Sequence, residues 1–545
     1  MPGAMAPLSH KVWIDAIGVP LSTNQSKVYL KPDTRFSTYR GITVGYQHLF
    51  LNWTMMAGGS TTESMKRVGD MAVFGKIVPE LKVEDYIEQN DSGGKLFHYY
   101  LQMHSWTRML RREKMGDYID EIESFKVPST TDPKALFDQI RNDFMPVLTK
   151  VWGAHLRITM SASILPVIVM NILDPTLNWG PDIYEDMAKL LSNCGEDIYS
   201  ADVPTMMQEV AKSIKSDQEA VEKFNSMDRK DAAQWLLSTE SGKHGELFRK
   251  FLAKHGHRCV RDSDIRETTW NHEPEKVVDA LKAMMLTTDL HQSANEKKNM
   301  MSVEEAMESL KTPLKWSQRF FLKMLLPKAR ASVGKREWAK SYGIKYTDNV
   351  RRCYQRLSTL LTERNFLPDE DLIFFLMPDE IETLIKRRSP QLISRALRRR
   401  KNFANFKGLN FKELSEGHPQ PIQIDTQQSG SGGSVSINGM AVGQGSVTGT
   451  ARVVTSLAEA NSIEEGEILI VPYTDVGWTP YFPLIAGLVT ELGGLISHGA
   501  VVAREYGLPC LVNCKAATQI IKTGDKVRID GPTSRILVLE REQDN

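Results

Sequence analysis

Residues Gln427–Ser434 read Q-Q-S-G-S-G-G-S. A run of glycine, serine and glutamine has no apolar side chain to bury, so it behaves as flexible coil. The residues on its two sides differ in texture, which points to more than one domain. The sequence predicts a multidomain chain: a large, mainly α-helical domain over 1–420, a flexible linker over 421–436, and a compact α/β domain over 437–545. A free linker of that length has an r.m.s. reach of roughly 20–24 Å and about twice that when stretched. The full length of 545 residues allows for several domains.

Helical character dominates from about residue 50 to 400, where glycine is sparse. Apolar residues recur at three and four in Met206–Phe224, Glu304–Leu310 and Val350–Leu361. Methionine is common there and reads as core filler, since it adapts to irregular gaps. Beyond the linker, short β-rich runs alternate with Gly and Pro: Ala451–Thr455, Glu467–Val471, Leu484–Thr490, Lys526–Ile529 and Ile536–Glu540. A helix fits Ala500–Tyr506.

Charge and cysteine content narrow the function classes. The 68 Lys+Arg against 67 Asp+Glu leave a net charge of +1. That gives no chain-wide electrostatic case for nucleic acid or membrane, and neither is expected as a partner. Five widely spaced cysteines suit free thiols in a reducing compartment. The C-x3-C pair Cys510/Cys514 lacks the further ligands of a zinc site, so no metal is expected. No secretory signal is visible at Met1–Pro7. The longest apolar stretch, Ile164–Leu173, is broken by Pro166 and Asn171 and is shorter than the ~20 residues of a spanning helix. The expectation is a cytoplasmic protein.

Thr490–Pro509 reads as strand, glycine turn and helix, with His498 at or near the helix N-terminus. Backbone N–H groups and the helix dipole favour an anion there. A neutral imidazole is nucleophilic near pH 7 and can carry a phosphoryl group. Gly493 and Gly494 permit close backbone approach. Ser497 is placed to cap the helix or to orient a phosphate, and Gly507 then Pro509 end it. Arg504, six residues on, points about 120° away from the His498 face of an ideal helix, leaving a structural role open beside a functional one.

The string G-G-x-x-S-H-x-A-x-x-A-R-E-x-G-x-P at 493–509 resembles the phosphohistidine motif of the swivelling domain in phosphoenolpyruvate-utilising enzymes. Tyr473–Pro480 resembles the T-D-P-G-W-T-P segment of that domain, with Val476 in place of proline. Gly445–Val453 resembles its opening G-x-x-x-G-x-A-R-V. The resemblance implies that His498 is catalytic and that Ser497, Gly493, Gly494, Thr479 and Thr490 support it.

Upstream, His257-Arg258 with Asp262, Asp264, Trp270, Glu273 and Pro274 resembles the G-H-R…E-x-D…W-x-E-x-P signature of the middle domain in the rifampicin phosphotransferase type. Asp262 stands where that pattern has Glu. Two readings of these residues stay open: acid–base work on an acceptor hydroxyl, or a buried polar network pinning helices together. Arg336 and Lys340 are i and i+4, so both cations leave one helical face. An exposed helix with ordinary charges looks the same. The resemblance to the R-E-x-x-K helix of the family assigns them, with Glu337, to steadying a phosphoryl group. Phe366–Leu376 reads as packing, and the basic run Lys386–Lys401 as a solvated helix face rather than an RNA site.

In this family an ATP-grasp domain, using ATP and Mg, loads the histidine. No G-x-x-x-x-G-K-[ST] loop is present, and only about 40 residues precede the helical region. The expectation is therefore a dikinase-type phosphotransferase component that binds no cofactor itself. Its ATP-grasp partner would act in trans or lie on a longer chain, and its acceptor would be a small organic molecule bearing a hydroxyl. The alternative is a non-catalytic relative that binds a ligand or a partner.

Overall fold

The computed structural model describes residues 4–18, 42–51, 115–175, 179–191, 202–286, 302–407, 409–412, 415, 418–422, 435–443, 445–495 and 497–541. The expected helical stretch over 52–114 and the Gln427–Ser434 run lie outside these residues.

Two long helices organise the helical region: α1, Met145–Leu173, and α5, Trp316–Glu363. They pack along each other where Gly343 of α5 lies on the Trp152 ring. A Cβ on Gly343 would stand 3.2 Å from that ring, and Trp152 Nε1 donates to Thr347 Oγ1 at 3.1 Å. At the start of α5, the Gln318 side chain accepts from the Lys315 N–H at 2.8 Å. At its end, Asn365 takes a left-handed φ of 57°. There the Phe366 N–H reaches Leu361 O and the Asn365 N–H reaches Thr362 O, at 2.8 and 2.9 Å. This pair of bonds is the Schellman stop, with asparagine in the glycine position.

Between the long helices lie α2 (Asp202–Lys215), α3 (Gly242–His255) and α4 (Val303–Glu308). The periodic stretch Met206–Phe224 is two helices, because Asp217 caps a second one by accepting from the Glu219 and Ala220 N–H groups. Met170, Met187, Met206, Met207, Met284 and Met307 are buried, as core filler should be. Leu372–Phe375 is likewise buried packing. Most of the basic run, from Arg395 on, falls on α6, Pro390–Lys407. Arg395 and Arg399 pair with Glu380, and Arg400 with Asp369. Three of the eight basic residues of that run therefore tie α6 to the segments before it.

The C-terminal domain is built on a sheet of eight strands. A hairpin (β1, Ile42–Gly45; β2, His48–Leu51) and a short pair (β3, Asn410–Phe411; β4, Pro421–Ile422) precede it. The sheet comprises β5 (Ser436–Asn438), β6 (Met440–Ala441), β7 (Ser446–Val453), β8 (Ile468–Val471), β9 (Gly487–Thr490), β10 (Cys510–Val512), β11 (Lys526–Asp530) and β12 (Arg535–Glu540), in the order β5-β12-β11-β7-β8-β9-β10-β6. Strands β7 to β10 are parallel, and the flanking pairs are antiparallel. β8 and β9 are buried at every residue, as an internal parallel strand must be. Both ends of the expected linker are strand: Pro421 and Ile422 pair with β3, and Ser436 begins β5. Helix α7, His498–Glu505, follows β9.

The apolar core runs without a break from α2 and Glu275–Leu286 into Trp478, Tyr481 and Phe482 of the C-terminal domain. The Thr205 and Tyr506 hydroxyls meet across the same junction at 3.2 Å. No described helix is long and apolar enough to cross a membrane.

Candidate functional site

His498 is the first residue of α7. Two loops meet there, each leaving the carboxyl end of a parallel strand: Thr474–Pro480 after β8 and Glu491–Ser497 after β9. Ligands bind at such strand ends in open α/β sheets. Gly493 has φ +148°, and any Cβ on it would crowd Ser497 Oγ at 3.2 Å and Thr490 Oγ1 at 3.3 Å. A Cβ on Gly499 would stand 2.1 Å from Thr474 Oγ1, so glycine lets α7 sit against the β8 loop. Thr490 holds the turn by donating to Leu492 O at 2.9 Å, and Gly494 O accepts from the Ser497 N–H at 2.9 Å. Ser497 occupies the N-cap position, but its side chain makes no capping bond; the capping role expected of it is not what the fold uses. Arg504 is structural: its guanidinium donates to Leu495 O at 2.6 Å and is buried.

The His498 ring lies between the two domains. Its Nε2 is 3.2 Å from Thr479 Oγ1, and its Nδ1 is 3.5 Å from Glu337 Oε2 on α5. The other Glu337 oxygen pairs with Arg336 at 3.0 Å. Lys340, one turn on, makes no hydrogen bond or ion pair among the described residues. Burial pushes the Glu337 carboxyl up, but His498, Arg336 and Lys340 together outweigh it and hold the group well below the ordinary carboxylate value. Burial pulls His498 below its ordinary value against the opposing pull of Glu337, with Lys340 and Arg258 adding to the fall. Both shifts favour a neutral ring beside an ionised carboxylate.

The remaining expected residues divide. Arg258 pairs with Asp262 at 3.0 Å, with both side chains buried, close enough to act on His498. His257 Nε2 meets Ser341 Oγ at 3.3 Å. Asp264 faces away, accepting from Ser9 Oγ at 2.5 Å and pairing with Arg261. Buried Arg351 donates to Asp348 and to Asp262 O, both at 2.8 Å. These contacts describe a buried polar network, with its Arg258 end at the histidine.

Two residues escape a sequence reading. Asp475, within the β8-loop motif, accepts from the Arg261 N–H at 2.8 Å and the Gly477 N–H at 2.9 Å, bridging the domains. Burial raises its carboxyl to about 6, with Asp262 adding and the two N–H groups opposing. The T-D-x-G-W-T-P resemblance was the available signal. His155 of α1 is buried, its Nε2 3.2 Å from Thr159 Oγ1 and its ring edge-on to Trp152. Its Nδ1 is buried with no hydrogen-bond partner. Burial lowers it to about 3, helped by Arg336 and Lys340. No local pattern marks a histidine some 180 residues from the cations it faces. Among the described residues no group of three or more His, Cys, Asp or Glu is set to hold a metal ion.

Comparison with known proteins matches the two halves separately. Residues 154–337, from beside His155 to Glu337, match the rifampicin phosphotransferase fourth domain. Residues 463–534 match the mobile domain of PEP-utilising enzymes. The chain is 28% identical over 371 residues to a rifampicin phosphotransferase of Bacillus cereus, covering 65% of this chain and 41% of that protein. It is 31% identical over 303 residues to one from a Streptomyces species, covering 54% and 34%. The prodigiosin synthesizing transferase PigC of Serratia marcescens is 27% identical over 303 residues, with 54% and 34% covered. The chain thus spans less than half the length of these relatives. Its C-terminal domain is similar to the mobile domain of the PEP-utilising enzymes, and its helical region to the fourth domain of the rifampicin phosphotransferases.

Proposed function

We infer that this chain is the acceptor and carrier part of a phosphotransferase, with His498 as the covalent carrier. The observation that carries the reading is the contact between His498 and the Arg336-Glu337-Lys340 turn of α5, made across the domain junction. Glu337 opposite Nδ1 favours the tautomer with the proton on that nitrogen, which leaves the Nε2 lone pair beside Thr479 as the nucleophile.

In the first step Nε2 bonds to phosphorus as the donor's P–O bond breaks, and the donor keeps the electron pair. In the second an acceptor hydroxyl oxygen bonds to phosphorus and the N–P bond breaks. The electron pair returns to Nε2, which can take the hydroxyl proton. A loose phosphoryl transition state needs positioned cations more than covalent help, and Arg336 and Lys340 supply them. ATP is the donor this reading favours, through an ATP-grasp unit that acts in trans or lies on a longer chain. The relatives' names cover both an antibiotic phosphotransferase and a prodigiosin synthesizing transferase, so the acceptor is left at the level of an organic hydroxyl.

The test is incubation with [β-32P]ATP and an ATP-grasp domain taken from a rifampicin phosphotransferase. Wild type should take up an acid-labile, base-stable label, and His498→Ala none. Label retained in His498→Ala, or absent from wild type, would overturn the reading.

A further inference from the structure

Helix α5 has a second face that this reaction does not use. Near its N-terminus Trp316, Phe320, Phe321 and Met324 are exposed, Trp316 by 83% and Phe320 by 61%. Spacings of four place Trp316, Phe320 and Met324 in one stripe, which Phe321 widens. Leu322, Leu326 and Ala329 on the opposite face are fully buried. The inner face is therefore already packed, and the aromatic stripe is surplus to the core. A contiguous exposed apolar patch on a folded domain marks an interaction site.

The charge along this part of α5 is one-sided, while the preceding helix α4 carries Glu304, Glu305 and Glu308. Residues 309–330 hold six Lys and Arg and no Asp or Glu, a local excess that the chain-wide +1 conceals. Lys311 is paired with Asp182 and Glu185, and Lys323 with Glu304. Lys315, Arg319 and Lys328 are exposed and have no carboxylate partner among the described residues. At 100° per residue, Arg319 falls to one side of the stripe, and Lys328 continues its four-residue row one turn beyond Met324. An apolar stripe bordered by cations is the pattern of a helix lying in a membrane interface.

We propose that this end of α5 docks on an anionic lipid surface, with Trp316, Phe320 and Met324 entering the headgroup layer and Lys315, Arg319 and Lys328 meeting lipid phosphates. Charge complementarity selects this occupant. Protein interface cores are depleted in lysine, yet here lysines border the stripe. The cleft beside the stripe, about 360 Å³, is lined by Glu304 and Glu308 of α4 and by Trp316, Arg319, Phe320 and Lys323 of α5, so its charge is mixed and the cations free to meet an anionic surface are those of α5. Trp316 lies 20 residues before Arg336 on the same helix, about 30 Å along its axis, so docking here leaves the histidine site clear.

Vesicle flotation with the intact chain tests this. Wild type should float with phosphatidylcholine vesicles containing phosphatidylglycerol and not with phosphatidylcholine alone, and high salt should release it. Trp316→Ser with Phe320→Ser, and separately Arg319→Glu with Lys328→Glu, should each weaken binding by about tenfold or more. Arg398→Glu with Lys401→Glu, on exposed positions of the basic helix α6, should leave it unchanged. All these side chains are solvent-facing, so thermal melts should match wild type. The proposal is overturned if wild type ignores anionic vesicles, if the stripe variants still bind, or if the α6 pair loses binding equally. It is also overturned if the stripe variants change only oligomeric state or RNA retention.

Discussion

Glu337 shows how a residue's role is set by what reaches it. Its carboxylate stands between half-buried Arg336 and the buried His498 imidazole. A buried carboxylate in that position orients the ring and offsets the cation beside it. Glu337→Gln keeps the shape and removes the charge. Phosphoryl transfer should fall roughly 10- to 100-fold. Glu337 is also the group holding His498 up against burial, so its loss should let His498 fall further, and the acid limb of the rate profile should move to lower pH. Single-turnover transfer measured across pH checks both; an unmoved acid limb would show that Glu337 does not face the ring in the working state.

At the scale of elements, two loops and one helix make the site, and the loops meet the helical region with little room. A Cβ on Gly477 would stand 2.6 Å from Val260 Cγ2 and 3.2 Å from its Cα. Gly477 is not in the left-handed region, so alanine there adds a clash across the junction and no backbone strain. Overpacking of this kind costs about 1–3 kcal/mol. Gly477→Ala should spend that cost on docking, slowing transfer while leaving the melting of the helical region unchanged; transfer at the wild-type rate would mean that the junction yields. Element boundaries were legible where local chemistry sets them. The starts of β11 and the end of β8 match the sequence expectation, and α7 begins two residues earlier than expected. The Met206–Phe224 break was not, because the Asp217 cap interrupts an apolar period that continues through it.

For the whole molecule, the apolar segment around Trp478, Tyr481 and Phe482 belongs to one core shared by both domains. A carrier domain that leaves this seat must cover the same side chains elsewhere, so a donor unit needs a matching apolar surface. Asp475 couples the seat to pH. Its buried carboxyl titrates near 6 instead of 3.8. The folded, docked state therefore holds the proton more tightly, and the penalty for the ionised group is full above pH 6 and fades as pH falls toward 3.8. Relative to Asp475→Asn, wild type should gain about 1 kcal/mol of stability between pH 7 and pH 5, read by chemical denaturation; a flat difference would refute the raised carboxyl. The division into a helical region and an α/β domain was legible from composition, and His498 from a turn-and-helix string, because flexibility, strand burial and helix N-termini are local properties of neighbouring residues. Which groups meet at the junction around that histidine was decided by the tertiary structure. Glu337 lies 161 residues away, Asp475 acts through an N–H of the other domain, and His155 reaches Arg336 and Lys340 only because α1 lies along α5. Burial and electrostatic coupling depend on distance in space, which the order of residues along a chain does not contain.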